Sequence, residues 1–226
     1  GPIDRNGIYT AGISTLQSRD VDYATQLGYG VKLLAVAESM EPDPSHPTSL
    51  PLAVSVQPTL VPNDHPLAGV NGVNNAILVE GDPIGRVMFY GPGAGSGPTA
   101  SAVVADILNI AGIREASGSG GGLDPLLAAS RWRPCRLVDQ GQTLSRNYLR
   151  LQTGDQAGVI GRIGSCFGDE GVSIRSIVQF ETSGDSADAE IVVITHEVQE
   201  ANFRRALAAM TALPDVKAVA ACLRTL

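Results

Sequence analysis

A run of glycine and serine at residues 117–122 divides this sequence more sharply than any other feature. These residues offer little side chain to pack, and glycine loses the most backbone entropy when it is ordered, so such runs are typical of linkers. We therefore predict a linker over residues 113–146, between a first domain at residues 1–112 and a second at residues 147–226. A chain of 226 residues is long enough for two small domains.

The composition excludes several classes of protein. Hydrophobic residues make up 43% and charged residues 17%, which is typical of a folded chain rather than a disordered one. The net charge of −7 argues against non-specific nucleic-acid binding, which needs clustered lysine and arginine. The longest charge-free stretches are broken by proline or glycine, and the three cysteines and three histidines show no zinc-ligand spacing. We expect a cytoplasmic protein with reduced thiols and no metal, membrane or nucleic-acid partner.

The second domain shows the clearest secondary-structure pattern. Alternating or β-branched runs predict four strands, and apolar residues at helical spacing predict two helices. Their order, βαββαβ, predicts a ferredoxin-like sheet with both helices on one face. The predicted elements, in chain order, are residues 148–153, 158–168, 172–180, 190–196, 199–212 and 216–223.

The first domain is predicted to be a partial sheet, mixed or antiparallel, with packing helices. A short helix over residues 20–27 has Asp20 as its candidate N-cap and Gly28 just beyond its end. A second helix, over residues 100–111, is apolar over most of its surface, which indicates a buried helix. The predicted strands are residues 31–36, 53–60, 75–80 and 86–90.

Two features of these strands predict their arrangement. Pro58 cannot donate a hydrogen bond, so strand 53–60 should end near it or lie on a sheet edge. Residues 81–83, Gly-Asp-Pro, should join the last two strands as a hairpin. With the second domain included, the predicted fold class is α+β.

A glycine-rich loop, residues 91–97, is the first candidate binding site. It lies between a predicted strand and a predicted helix, so its free amides and the positive end of the helix dipole suit a phosphate or a carboxylate. Its spacing matches neither the dinucleotide fingerprint nor the P-loop. A tight structural turn is the alternative.

The loop at residues 155–159 is the second candidate site. Amides at the start of the following helix would take the carboxylate of a small zwitterion, and Asp155 would take its ammonium group. A plain connecting loop is the alternative. Lys32 and His65 are interpreted as a strand-edge lysine and a loop histidine, and no residue is assigned a catalytic role.

The first domain resembles homoserine dehydrogenase. The likeness is strongest in residues 89–106, FYGPGAGSGPTASAVVAD, and extends over residues 7–13, 20–35, 56–58, 65–68 and 70–76. The second domain resembles an ACT domain, the amino-acid-sensing module that follows many homoserine dehydrogenases.

The resemblance implies the C-terminal part of an NAD(P)-dependent oxidoreductase that interconverts L-aspartate 4-semialdehyde and L-homoserine, on the route to threonine, methionine and isoleucine. The family's Rossmann half and its catalytic lysine belong upstream of residue 1, so the isolated chain is expected to be inactive. NAD or NADP would be bound in the full-length enzyme by Gly91, Gly93, Ala94, Gly95 and Thr99. We expect Gly93 to have a positive φ, so that valine there would strain the backbone and block the cofactor.

For the second domain, the resemblance implies allosteric regulation by an amino acid, with threonine the favoured effector. Its site would comprise Asp155, Gly158, Val159 and Ile174, where Val159 and Ile174 limit side-chain size. A homodimer or higher homo-oligomer is expected, through the edge at residues 173–180 or the strand around Val219. The alternative is a stand-alone, dimerising amino-acid-binding module without catalysis.

Overall fold

The computed structural model describes residues 3–116, 134–181 and 188–226. The chain divides into two compact units, one of residues 1–63 with 134–226 and one of residues 64–133. The first unit thus joins the beginning of the chain to the predicted second domain. The boundaries predicted at residues 112 and 147 remain predictions.

The first unit is built on a mixed β-sheet. Along the main path of the sheet the strand order is β1-β3-β11-β7-β9-β8, while β2 and β6 also pair with β3, and β10 pairs with β7. The strands are β1 (Tyr9–Thr10), β2 (Tyr29–Ser39), β3 (Leu50–Pro62), β6 (Cys135–Leu137), β7 (Leu144–Gly154), β8 (Ile174–Glu181), β9 (Asp188–Thr195), β10 (Val198–Gln199) and β11 (Val216–Thr225). The helices of this unit are α1 (Ser18–Gln26), α3 (Val159–Asp169) and α4 (Glu200–Thr211).

The predicted βαββαβ order is confirmed in the second half of this unit. Strands β11, β7, β9 and β8 are antiparallel neighbours, and α3 and α4 cover one face of them. Helix α3 buries Val159, Ile163 and Phe167, spaced four residues apart on one stripe. They pack with Leu149 and Leu151 of β7 and with Phe203, Ala206 and Met210 of α4.

Helix α1 lies on the opposite face of the same sheet. Ala24 and Tyr29, near the end of α1, pack against Tyr148, Val192 and Ile194, which alternate with the helix-side core residues of β7 and β9. The sheet therefore has apolar cores on both faces. The sequence patterns did not predict this second core.

The beginning of α1 corrects one prediction. The N-cap is Gln17, not Asp20, and Asp20 stands three residues into the helix. From there its carboxylate accepts a hydrogen bond from the Gln17 backbone N–H at 2.9 Å, so an acidic residue caps the helix from inside the first turn. Gly28 follows the end of the helix with φ +84°, as predicted.

Strand β3 corrects a second prediction, because it neither ends near Pro58 nor lies on an edge. It pairs with β2 along one side, and with β6, β1 and β11 in turn along the other. On that second side β1 pairs up to Val56 and β11 pairs from Thr59, so Pro58 falls between two partner strands. A missing N–H facing that gap interrupts no ladder.

The second unit contains the predicted hairpin, β4 (Asn74–Gly81) with β5 (Gly85–Pro92), followed by helix α2 (Ser96–Ala116). The prediction that this helix is buried is wrong for the chain as described. Val103, Ile107 and Leu108 are 53%, 59% and 66% exposed. A two-stranded hairpin is too small to enclose a helix that is apolar on every side, and such a helix is typical of the interior of a larger protein.

Part of the predicted linker has regular structure. Residues 113–116 complete α2, and strand β6 pairs in parallel with the start of β3. The short helix Gln140–Gln142 leads from there towards β7. The glycine and serine run lies outside the described residues.

Candidate functional site

The glycine-rich loop connects β5 to α2 in the second unit. The Gly93 N–H donates to the Val73 carbonyl at 2.9 Å, and the Thr99 N–H donates to the Gly95 carbonyl at 3.1 Å, which closes the first turn of α2. Gly95 has φ +122°, a conformation that favours glycine. The loop is thus fixed at both ends by backbone bonds.

The structure corrects the reason given for glycine at position 93. Its φ is not in the positive range, which in this loop is adopted by Gly95. A Cβ on Gly93 would instead lie 1.7 Å from Nδ2 of Asn75. A larger side chain at position 93 would therefore require the exposed Asn75 side chain of β4 to move.

The predicted cofactor-binding residues form one accessible turn. Gly93, Ala94, Gly95 and Thr99 are exposed, and Gly91 is half-buried. The amides at the beginning of a helix have no partner within it, and here they precede α2 beside an exposed turn. Backbone N–H groups here can donate to a phosphate or a carboxylate, and the positive end of the helix dipole also favours such an anion.

The second candidate loop connects β7 to α3 in the first unit. Gly158 is the N-cap of α3 with φ +89°, and its carbonyl accepts from the Arg162 N–H at 3.0 Å. Asp155 is exposed, and its Oδ1 accepts a hydrogen bond from the Gln179 side-chain amide at 3.1 Å. A carboxylate and a helix beginning therefore lie four residues apart in one exposed loop.

The structure places the other two predicted effector residues differently. Val159 is 4% exposed and packs in the core beneath α3, so its side chain does not face the loop surface. Ile174, at the beginning of β8, is half-buried and packs against the same core. Asp155 and Gly158 are the predicted residues that lie in the exposed loop.

The sequence did not predict a cluster of buried charged residues between α1 and the sheet. We call it the Arg150 cluster; at its centre Arg150 is fully buried. Arg150 donates to both carboxylate oxygens of Asp20 at 2.7 and 3.1 Å, to Oε1 of Glu190 at 2.8 Å and to Oε1 of Gln17 at 2.9 Å. The other members are Arg19, Tyr23 and Tyr148, which contact the same two carboxylates.

The cluster shifts the ionisation of its members. Burial alone would raise the pKa of Glu190, but the Tyr23 hydroxyl and the charges of Arg150 and Arg19 hold this pKa below its usual value. Burial and the neighbouring Glu190 carboxylate raise the pKa of Tyr23 to about 12. Glu190 is thus an anion and Tyr23 a neutral donor at neutral pH.

Lys32 and His65 have side chains of types that can take part in acid–base catalysis, and the structure places both within regular elements or next to them. Lys32 lies in β2 opposite Thr59 of β3. Among the described strands, β2 pairs with β3. His65 accepts a hydrogen bond from the Leu67 N–H at 3.3 Å and so caps the short helix Pro66–Gly69. The interpretation of His65 as a loop histidine is confirmed.

Cys135, Cys166 and Cys222 form no disulfide bond. Within residues 3–116, 134–181 and 188–226, no group of three or more histidine, cysteine or acidic residues is placed to hold a metal ion. In the same ranges no helix has both the length and the apolar character needed to cross a membrane.

The βαββαβ unit and its glycine-capped loop define the chain as one that carries an ACT domain, and the family model of that domain matches residues 147–215. Residues 1–108 match the family model described as homoserine dehydrogenase. The chain is therefore similar to the C-terminal portion of proteins of the homoserine dehydrogenase family.

Individual relatives agree with this assignment. The chain is 43% identical to a homoserine dehydrogenase of Synechocystis over all 226 residues, and 38% identical to one of Neisseria gonorrhoeae over 96% of the chain. These matches cover 51% and 48% of the relatives. The crystal structure of a homoserine dehydrogenase from Thiobacillus denitrificans superposes with a TM-score of 0.82 at 33% identity, covering 100% of this chain and 49% of that one. The chain thus spans about half the length of the proteins it matches.

Proposed function

We propose that this chain supplies the C-terminal half of an NAD(P)-dependent enzyme that interconverts L-aspartate 4-semialdehyde and L-homoserine, and that its ACT domain binds threonine as a feedback effector. One observation carries the proposal: the whole chain aligns with proteins named homoserine dehydrogenase. The three free thiols fit a cytoplasmic location.

The loop before α2 fits a nicotinamide nucleotide. A Cβ on Gly91 would meet nothing within 4 Å, so the space beside this backbone is open to an approaching group. Ala94 and Gly95 would offer backbone amides to the nucleotide at the beginning of the helix. Gly91, Gly93 and Thr99 would border it, since the Gly93 and Thr99 N–H groups already donate to the Val73 and Gly95 carbonyls. The bound nucleotide would supply the hydride transfer, and these residues would orient it.

Helix α2 and the hairpin supply the surface for an N-terminal half. Val103, Ile107 and Leu108 of the helix and Ile77 and Phe89 of the hairpin are each at least half exposed. Large apolar side chains exposed on one helix and one hairpin are typical of a site of association. We infer that a Rossmann half in the longer protein covers it, which disfavours a stand-alone regulatory module.

Gly93→Val in a full-length enzyme built on this sequence is expected to weaken nicotinamide-nucleotide binding by about 1–3 kcal/mol, the usual cost of forcing a larger side chain into an occupied space. The valine competes with Asn75 for space and places a branched side chain where the backbone meets the nucleotide. The dissociation constant from a fluorescence titration measures the effect.

Two companion variants separate cofactor contact from a folding defect. Gly69→Val places the same side chain in the same unit, where a Cβ meets nothing within 4 Å and φ is not positive. Asn75→Ala combined with Gly93→Val removes the two closest atoms, at 1.7 and 2.5 Å, and leaves the Cβ of residue 75 at 3.2 Å. Cofactor affinity that returns to the starting value in the double variant would assign the loop a structural role only.

The loop at residues 155–159, which we call the ACT loop, suits a free amino acid. Amides at the beginning of α3 favour a carboxylate, and the exposed Asp155 carboxylate lies beside them to receive an ammonium group. Threonine fits this arrangement as the product of the pathway that the enzyme would serve. Gly158 and the Val159 backbone would contact the carboxylate, and Ile174 would border the side chain.

Asp155→Ala is expected to weaken threonine binding by about 1–3 kcal/mol, since a charge-assisted hydrogen bond is lost. Titration calorimetry of the 226-residue chain with threonine, isoleucine and methionine measures the affinity and the selectivity. Asp169→Ala is the control, because it removes an exposed carboxylate from the other end of α3. Absence of heat with all three amino acids at millimolar concentration would leave the ACT domain without an effector.

We also propose that the ACT domain mediates a homodimer. Among the described strands, β8 pairs with β9 alone, so its outer edge presents unpaired backbone groups. Pairing with a second copy would satisfy them. The other predicted edge, β11, has β3 beside its last two residues, Arg224 and Thr225.

A further inference from the structure

The Arg150 cluster joins three separate elements at one buried point. Asp20 comes from α1, Arg150 from β7 and Glu190 from β9, and Arg150 contacts both carboxylates. Asp20 and Arg150 are 130 positions apart in the sequence. The cluster therefore fastens α1 to the sheet of the ACT domain.

The charges of the Arg150 cluster contribute more to the position of α1 than to the stability of the fold. Taking an arginine and two carboxylates out of water is costly, and an apolar contact of the same size is often as stable or more so. The two bonds from Arg150 to Asp20 are directional, unlike apolar contacts, and so they fix α1 in one position on the sheet. Such an arrangement favours a defined docking geometry over maximal stability.

A continuous chain of contacts leads from this cluster to the ACT loop. The Tyr23 hydroxyl donates to Glu190 at 2.6 Å, and the Tyr23 ring stacks on Phe180 of β8 with centroids 3.9 Å apart and planes 15° apart. Phe180 follows Gln179, which donates to Asp155 at 3.1 Å. Neighbouring residues of a strand point to opposite faces, so β8 connects the loop on the helix side with α1 on the other.

We propose that this path couples occupation of the ACT loop to the docking of α1, with Phe180 and Tyr23 as the connecting pair. The inference rests on the proposed function, since it takes the amino-acid site at Asp155 as given. An ammonium group bound to Asp155 shares the acceptor of the Gln179 amide and so shifts the position of β8. Phe180 transmits this shift to Tyr23, and α1 responds through Glu190 and Arg150.

The test uses amide hydrogen exchange in the 226-residue chain, with and without saturating L-threonine. Exchange reports local opening of an element, so it measures how firmly α1 is docked. Threonine is expected to change the exchange rates of the α1 amides by about fivefold or more, the usual lower range of coupling between sites. Calorimetry on the same samples gives the dissociation constant for threonine.

Two variants isolate the connecting pair. Phe180→Leu keeps an apolar side chain and removes the ring stack, so threonine should still bind within about twofold while the α1 response is lost. Phe180→Tyr keeps the ring and should retain the response. Because Phe180 is half-buried, both variants are expected to fold.

The outcomes separate the two proposals. Binding of threonine without a change at α1, or an undiminished α1 response in Phe180→Leu, would overturn the coupling and leave the effector site intact. Absence of threonine binding would overturn the effector site, and the coupling with it. Loss of the α1 response to threonine in Phe180→Leu, with the response retained in Phe180→Tyr, supports coupling through Phe180 and Tyr23.

Discussion

Arg150→Ala is expected to lower the free energy of unfolding by about 3–5 kcal/mol, the usual cost of breaking a buried ion pair from one side. The substitution leaves Asp20 and Glu190 buried, with only Arg19, whose side chain is 53% exposed, as a remaining cation. It also leaves a cavity where a fully buried side chain stood. Urea denaturation of the 226-residue chain measures the loss.

The matched control is Arg205→Ala, which breaks a surface ion pair between α4 and Glu170. Its side chain is 56% exposed, and we expect a change of at most about 1 kcal/mol. The cost of Arg150→Ala should also shrink in acid. Glu190 has a lowered pKa in the folded chain, so its contribution is complete above the ordinary carboxyl pKa and is lost as the pH falls through the folded value. A loss below 1 kcal/mol at neutral pH would mean that the cluster is not held as described.

Purified protein of these 226 residues is expected to show no homoserine-dependent reduction of NAD or NADP above background. Residues 1–226 contain no dinucleotide fingerprint, and Lys32 has Gly28, not an aspartate, four residues before it. The glycine-rich loop at residues 91–97 offers backbone amides but contains no histidine, lysine or carboxylate that could act as a general acid or base. The assay follows the absorbance of the reduced nicotinamide.

The full-length Synechocystis relative, 43% identical to this chain, is the positive control under the same conditions. Turnover by the 226-residue chain would overturn the interpretation of Lys32 as a strand-edge residue. Lys32→Ala would then show whether this lysine accounts for the activity.

The order of elements in the ACT domain could be predicted because it depends on local periodicity. Val159, Ile163 and Phe167 recur every four residues, and residues 149–152 of β7 alternate between apolar and polar. Alternation identifies a polar face of a strand but does not say what covers that face. The burial of Arg150 could not be predicted in this way, because its partner Asp20 lies 130 positions earlier in the sequence.

Helix α2 shows the opposite error of prediction, because its apolar residues were predicted to be buried and are exposed. Its composition predicts burial, yet burial requires a covering surface, and the described part of its own unit supplies only a hairpin. At the candidate sites, the positions of the loops followed from glycine placement. The packing of Val159 into the core and the contact between Gly93 and Asn75 depend on tertiary geometry that single residues do not encode.

The docking of α1 against the ACT sheet limits how this ACT domain can be transplanted between proteins. A chimera joined near residue 147 would bring a foreign sheet to α1 and separate Arg150 from Asp20. Strand β11 would also lose its parallel neighbour β3, to which its last residues are bonded. A graft that keeps both faces of the sheet covered must carry residues 17–62 with the ACT domain, so the segment to be transferred is discontinuous in sequence.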